Sequence, residues 1–150
     1  MPARQVNAVR LRAALDEQLA ALGEPAYTGA SDPVSLGRAC AAAVARALRA
    51  GAQPCPAALR AATSALLDAL AARAPGRAVE VRVPPYAAVQ CGEGPRHTRG
   101  TPGNVVETDP QTWVRLATGM LAWPDALASG LVHASGVRAD LSPWLPLISA

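Results

Sequence analysis

Few residues in this chain are of the types that do chemistry, and their spacing is uninformative. There are two histidines, His97 and His133, and three cysteines, Cys40, Cys55 and Cys91. No His-x-x-His or Cys-x-x-Cys pair occurs, so a closed zinc site built from nitrogen and sulfur is not expected. There is no Gly-x-Ser-x-Gly elbow, and Gly92-Glu93-Gly94 lacks the third glycine and following helix of a phosphate cradle. Each cysteine reads as a small buried hydrophobe, and His133, between Val132 and Ala134, as a sheet-face residue. The one polar constellation is Arg96-His97-Thr98-Arg99-Gly100. Arg96 and Arg99 suit a carboxylate or phosphate held by charged hydrogen bonds. They suit better a solvated loop in which they pair with Glu80, Glu93, Glu107 or Asp109, because such surface pairs are common.

The apolar residues say more. Trp113, Leu116, Met120, Trp123, Leu127, Val132 and Trp144 lie in one stretch, Thr108 to Leu147, which holds all three tryptophans. They line a ligand pocket or fill a core; periodicity does not separate the two. The elements that position them are legible. Thr108 or Asp109 caps a helix, Pro110 suits its first position, and Gly119 ends it. Pro124 opens a short second helix that Gly130 closes. Leu131 to Ser135 reads as a strand, Gly136 as a turn, and Asp140 or Ser142 as the cap of a last helical segment.

Upstream, three helices are expected. The first runs from about Val6 to Leu22, with Leu11, Leu15, Leu19 and Leu22 as its stripe. The second begins at Ser31 or Asp32 as cap, with Leu36, Cys40, Val44 and Leu48 on one face and Gly51 at its end. The third runs from about Pro56 to Ala74, with Leu59, Leu66, Leu67 and Leu70 inward. The period then changes to two. Val79, Val81 and Val83 alternate with Glu80 and Arg82, as in a strand with one buried face. Tyr86 to Cys91 and Asn104 to Thr108 are further strands. The expected class is α+β: a small, largely antiparallel sheet of four to five strands covered by helices. Residues 1–75 form a helical N-terminal region packed on an α+β domain of residues 76–150.

The C-terminal order of parts resembles a known family. Leu116-Ala117-x-Gly119, Ala126-x-x-x-Gly130-x-Val132 and Gly136-x-x-Ala139-x-Leu141 follow one another as in the C-terminal half of the sterol carrier protein type 2 family. With VEVRVPPYAAVQC and GPRHTRGTPGNVVETDP upstream, the chain is similar to the short bacterial sterol-carrier-like proteins, over about Arg77 to Ile148. The resemblance implies helices over a curved sheet enclosing an apolar pocket for a lipid, fatty acid or acyl thioester. It implies a non-enzymatic carrier; no catalytic residue, cofactor or metal is expected. The apolar set above, with Arg96 and Arg99 for a head group, would be the contacts. Thiol-dependent isomerases carry a similar C-terminal region, but their metal sits in an N-terminal bundle with histidines, and residues 1–75 here contain none.

Composition narrows the alternatives. A hydrophobic fraction of 51% over 150 residues supports a folded core. Every basic residue is arginine; residues 1–75 have 8 Arg against 5 acids, and residues 76–150 have 6 against 6. That scatter does not form a nucleic-acid stripe. No apolar run approaches the roughly 18 residues of a membrane span, and Met1 to Arg10 lacks the apolar centre of a signal peptide. The reading is a cytoplasmic protein with reduced thiols. The alternative function is a ligand-free accessory protein acting through a protein partner or homo-oligomer, its N-terminal helices forming the surface. A homodimer is left open.

Overall fold

The computed structural model describes residues 3–94 and 103–149. Helices α1 (Ala3–Leu22), α2 (Pro33–Arg49) and α3 (Pro56–Arg73) come first. Strands β1 (Val79–Val83), β2 (Ala87–Cys91) and β3 (Val105–Thr108) follow. Then come α4 (Pro110–Ala117), α5 (Trp123–Ala128), β4 (Val132–Ser135) and a 3₁₀ turn at Ser142–Trp144. The start signals act as the residue types dictate. The Asp32 carboxylate accepts from the Ser35 amide at 3.0 Å, with Pro33 behind it. Asp109 accepts from the Thr112 amide at 2.9 Å and its hydroxyl at 2.6 Å. Each satisfies an otherwise orphaned N-terminal donor.

The sheet order is β2-β1-β3-β4. β1 pairs antiparallel with β2, Val79 opposite Cys91, and β3 pairs antiparallel with β4, Val105 opposite Ser135. β1 and β3 are parallel, Glu80 opposite Val105. The four-stranded sheet is therefore mixed, with two of its three pairings antiparallel. No helical crossover is needed for the parallel pair: the β1–β2 hairpin has already returned the chain to the start of β1, and β3 begins beside that same end. Val79, Val81 and Val83 are at most 1% exposed, while Glu80 and Arg82 face outward and pair at 3.1 Å.

The helices cover the inner face in one continuous buried cluster. It runs from Leu15 and Leu36 through Leu66, Leu67 and Leu70 to Val79, Val81, Trp113, Leu116 and Leu141. Trp113 is fully buried, and its indole Nε1 donates to the Thr63 carbonyl at 3.3 Å, tying α4 to α3. Two devices fasten the C-terminal segment. Arg73, at the end of α3, donates to the carbonyls of Trp144 (3.0 Å), Pro146 (2.8 Å) and Leu147 (3.2 Å). The Leu147 amide donates to the Ala117 carbonyl at 2.8 Å. At Gly136, φ is +102°, and a Cβ there would collide with Asn104 and Gly103. Only glycine meets both demands.

Candidate functional site

The helical layer leaves a half-open groove of about 1100 Å³ between α1, α2 and α3. Its position follows from how the helices are pinned. The Arg46 guanidinium pairs with Glu24 at 2.8 Å, setting the ends of α2 and α1 side by side. The Cys55 amide donates to Oε1 of the buried Gln18 at 2.9 Å, setting the start of α3 against the end of α1. α2 and α3 approach very closely: a Cβ built on Gly37 would lie 2.9 Å from the Ala65 Cβ. That contact, with the buried Ala41, lies at the seam of the two helices under the groove. Leu11 and Ala14 of α1, Ala61 and Ala69 of α3, and Tyr86 and Ile148 line it.

Five charged side chains line the same groove: Arg10 and Glu17 on α1, Arg38 on α2, Arg60 and Asp68 on α3. Among the described residues the salt bridges are Arg12–Asp16, Arg46–Glu24 and Arg82–Glu80, so none of the groove's charges belongs to one. The Arg60 guanidinium lies 5.7 Å from the centre of the Tyr86 ring, within reach of a cation–π contact. Partial burial pushes the Asp68 carboxyl above the usual carboxylate range. The groove thus offers apolar surface, the polar side chains of Asn7 and Ser64, and three guanidinium groups and two carboxylates that are all solvent-exposed.

The residues singled out from the sequence lie elsewhere. Trp113, Leu116, Trp123 and Val132 are brought together in the core, at 0%, 2%, 7% and 3% exposure. Met120 and Trp144 are half-buried at its edge, and Leu127 is 41% exposed on α5. None of the seven lines the groove, which the far face of α3 presents. Arg96 and Arg99, with His97, lie outside the described residues. Glu80, one partner considered for those arginines, is taken by Arg82. His133 is exposed on the outer sheet face, opposite Glu107. Sequence reasoning missed Gly37, Ala41, Ala61 and Ala65, because an alanine-rich helix reads as close packing and nothing more. The available signal was Gly37, a glycine inside an otherwise strong helical pattern.

The three cysteine thiols are all shifted upward. Burial pushes the Cys40 thiol up to about 12 and the Cys91 thiol to about 11. Burial, then the Glu17 charge, also raises Cys55. No group of three or more His, Cys, Asp or Glu among the described residues is arranged to hold a metal. No helix among them is long and apolar enough to cross a membrane.

Comparison with known proteins then places the chain. A family model described as bacterial SCP ortholog matches residues 56–147. The chain belongs to the bacterial SCP ortholog family. It is a bacterial sterol-carrier-like protein, and this family is generally of carrier type. No curated protein matches it. The match begins at the first residue of α3, so in this SCP ortholog α3, the sheet, α4 and α5 lie within the family unit. α1 and α2 precede it.

Proposed function

We propose that the protein is a non-enzymatic, cytoplasmic carrier for a lipid, fatty acid or acyl thioester. Membership of a carrier-type family is the observation that supports this most. Two places suit the apolar tail. One is the layer of Trp113, Leu116, Met120, Trp123, Leu127, Val132 and Trp144, which a tail enters only if α3 or the C-terminal segment moves. The other is the groove of α1, α2 and α3, which is already open and, at about 1100 Å³, is as large as the bigger small-molecule pockets of about 300–1,000 Å³. We place the ligand in the groove. A buried CH₂ contributes about 0.8 kcal/mol, so a half-covered acyl chain reaches micromolar affinity after the cost of immobilisation.

Native mass spectrometry of gently purified protein, with titrations of fatty acids, acyl thioesters and sterols, tests the reading. Co-purified lipid and saturable binding are expected. Tryptophan emission then separates the two places: a tail in the groove leaves it nearly unchanged, whereas a tail in the tryptophan layer shifts it. A second reading, an interaction protein without ligand, draws on the groove being shared between α3 of the family unit and the helices α1 and α2 that precede it. It becomes the better account if no lipid co-purifies and no titration saturates.

A further inference from the structure

We propose that the free edge of β4 is a self-association site, where a second copy of this chain pairs antiparallel about Ala134 and continues the sheet across a two-fold axis. The carrier reading makes no use of this edge.

The hydrogen-bonding phase of the sheet decides which groups of β4 are free. The Glu80 amide donates to the Asn104 carbonyl at 3.0 Å, and Glu80 lies opposite Val105. In that parallel pair Val106 turns its backbone groups toward β1, so Val105 and Glu107 turn theirs toward β4. Their partners Ser135 and His133 face back into the sheet, and Val132 and Ala134 present N–H and C=O to the open edge. The strand order ends at β4, so among the described residues no strand takes up these groups. Nor is the edge guarded: Val132 to Ser135 includes no proline, lysine or carboxylate, the usual blocks to pairing. Apolar surface collects at the same place. Among the exposed large apolar side chains of the described residues, Leu131 at 43% and Val137 at 99% flank β4, and Leu127 lies on α5, which contacts it. Their spacing favours a second copy over an unrelated strand. Leu131 and Val137 lie three positions either side of Ala134. Antiparallel pairing of two copies about Ala134 lets the two Ala134 residues exchange both hydrogen bonds, and it sets each Leu131 beside Val137 of the other copy. A register centred on His133 would set Leu131 beside Ser135 and leave Val137 uncovered. Pairing of β4 with itself also closes as a dimer, whereas β4 against β2 of another copy would propagate without end.

The test is the association state of the full chain, measured by sedimentation equilibrium over a wide concentration range. The interface is small, one short strand and a few side chains from each copy, so a dimer with a dissociation constant on the order of 10 µM is expected, with no larger species. The Ala134 amide should exchange more slowly as concentration rises, while the His133 and Ser135 amides, already bonded within the sheet, should not respond. Ala134→Pro removes a donor that points to the open edge, so it should give a monomer with an almost unchanged melting temperature. Ser135→Pro removes a donor that the pairing with β3 uses, and should lower the melting temperature instead. Leu131→Glu alone and Val137→Arg alone should each weaken the dimer about tenfold. The two together in one chain should restore it, because the register brings the opposite charges side by side. A chain that stays monomeric about a hundredfold above the expected dissociation constant overturns the proposal. So does a dimer that Ala134→Pro leaves intact, which would place the contact elsewhere. If Ala134→Pro fails to fold, the charge pair decides: single variants that leave the dimer unchanged, or a double variant that does not recover it, overturn pairing about Ala134. None of these outcomes depends on a bound lipid, so the carrier reading stands or falls separately.

Discussion

The three thiols show how far a residue's chemistry is set by its surroundings. Cys40 and Cys91 are fully buried, and burial disfavours their thiolates. Cys40 is further engaged with the Ala58 carbonyl at 3.5 Å. Cys55, at the start of α3, is only partly covered. Alkylation of the folded protein should therefore label Cys55 first and leave Cys40 and Cys91 intact until unfolding, which mass spectrometry of the digested protein reads directly. A pH dependence follows. Both buried thiols have pKa values raised above the 9.0 of a free thiol. Their contribution to stability is complete below pH 9 and is lost as pH rises toward about 11 and about 12, because only the unfolded chain releases the protons. Urea titrations at pH 7 and pH 10 should show the lower midpoint at pH 10, and replacing Cys40 and Cys91 by Ala or Val should flatten the difference. At Gly37 the surroundings act through space alone. With Ala65 already at contact distance of any Cβ, Gly37→Leu should destabilise the fold by about 1–3 kcal/mol, measured by chemical denaturation.

Among the elements, α3 does most to organise the molecule. One side presents Leu66, Leu67 and Leu70 to the core, another presents Ala61, Ala65 and Ala69 to the groove, and its end holds the C-terminal segment through Arg73. Its boundaries were legible, because Pro56 suits a first helical position and the Pro75-Gly76 pair stops a helix. Its three-sided role was not legible: leucine spacing marks one buried face, and alanine is compatible with any environment. Leu66→Ala, at a site 2% exposed, should cost about 2–5 kcal/mol. Arg73→Ala should cost less, about 1–2 kcal/mol, since the guanidinium is exposed and water replaces part of what is lost. Hydrogen exchange distinguishes the two: Arg73→Ala should raise exchange at the Leu147 and Ile148 amides, which donate to Ala117, and leave β1 protected.

At the scale of the whole molecule, the helices and the sheet share one buried cluster. The inner valines of β1 and the leucines of α3 and α2 all belong to it, so a fragment spanning residues 77–150 exposes its apolar sheet face. Such a fragment should lack a cooperative thermal transition and aggregate on concentration, by the hydrophobic cost of that exposure. A sharp, reversible melt of the fragment would instead mark residues 77–150 as self-sufficient. A fragment spanning residues 56–150 regains α3 and should fold, with reduced stability, because the α2 faces of Leu36, Cys40 and Val44 are missing from its cover.

What the sequence by itself determined is local. Asp32-Pro33 and Asp109-Pro110 mark helix starts because an orphaned amide needs an acceptor and proline lacks one to satisfy. Val79, Val81 and Val83 mark the buried face of a strand because a strand's side chains alternate. The order of small motifs after Thr108 pointed to the sterol-carrier-like family. Tertiary structure decided the rest. Periodicity states that a face is buried but not against what, so Trp113 and Leu116 read equally as pocket wall or core. Placement on the α3 side of the sheet made them core. The parallel pairing of β1 and β3 depends on how a hairpin returns the chain, which no local pattern records. The groove depends on how three helices pack, and α2 meets α3 where Gly37 faces Ala65, twenty-eight positions apart in the chain.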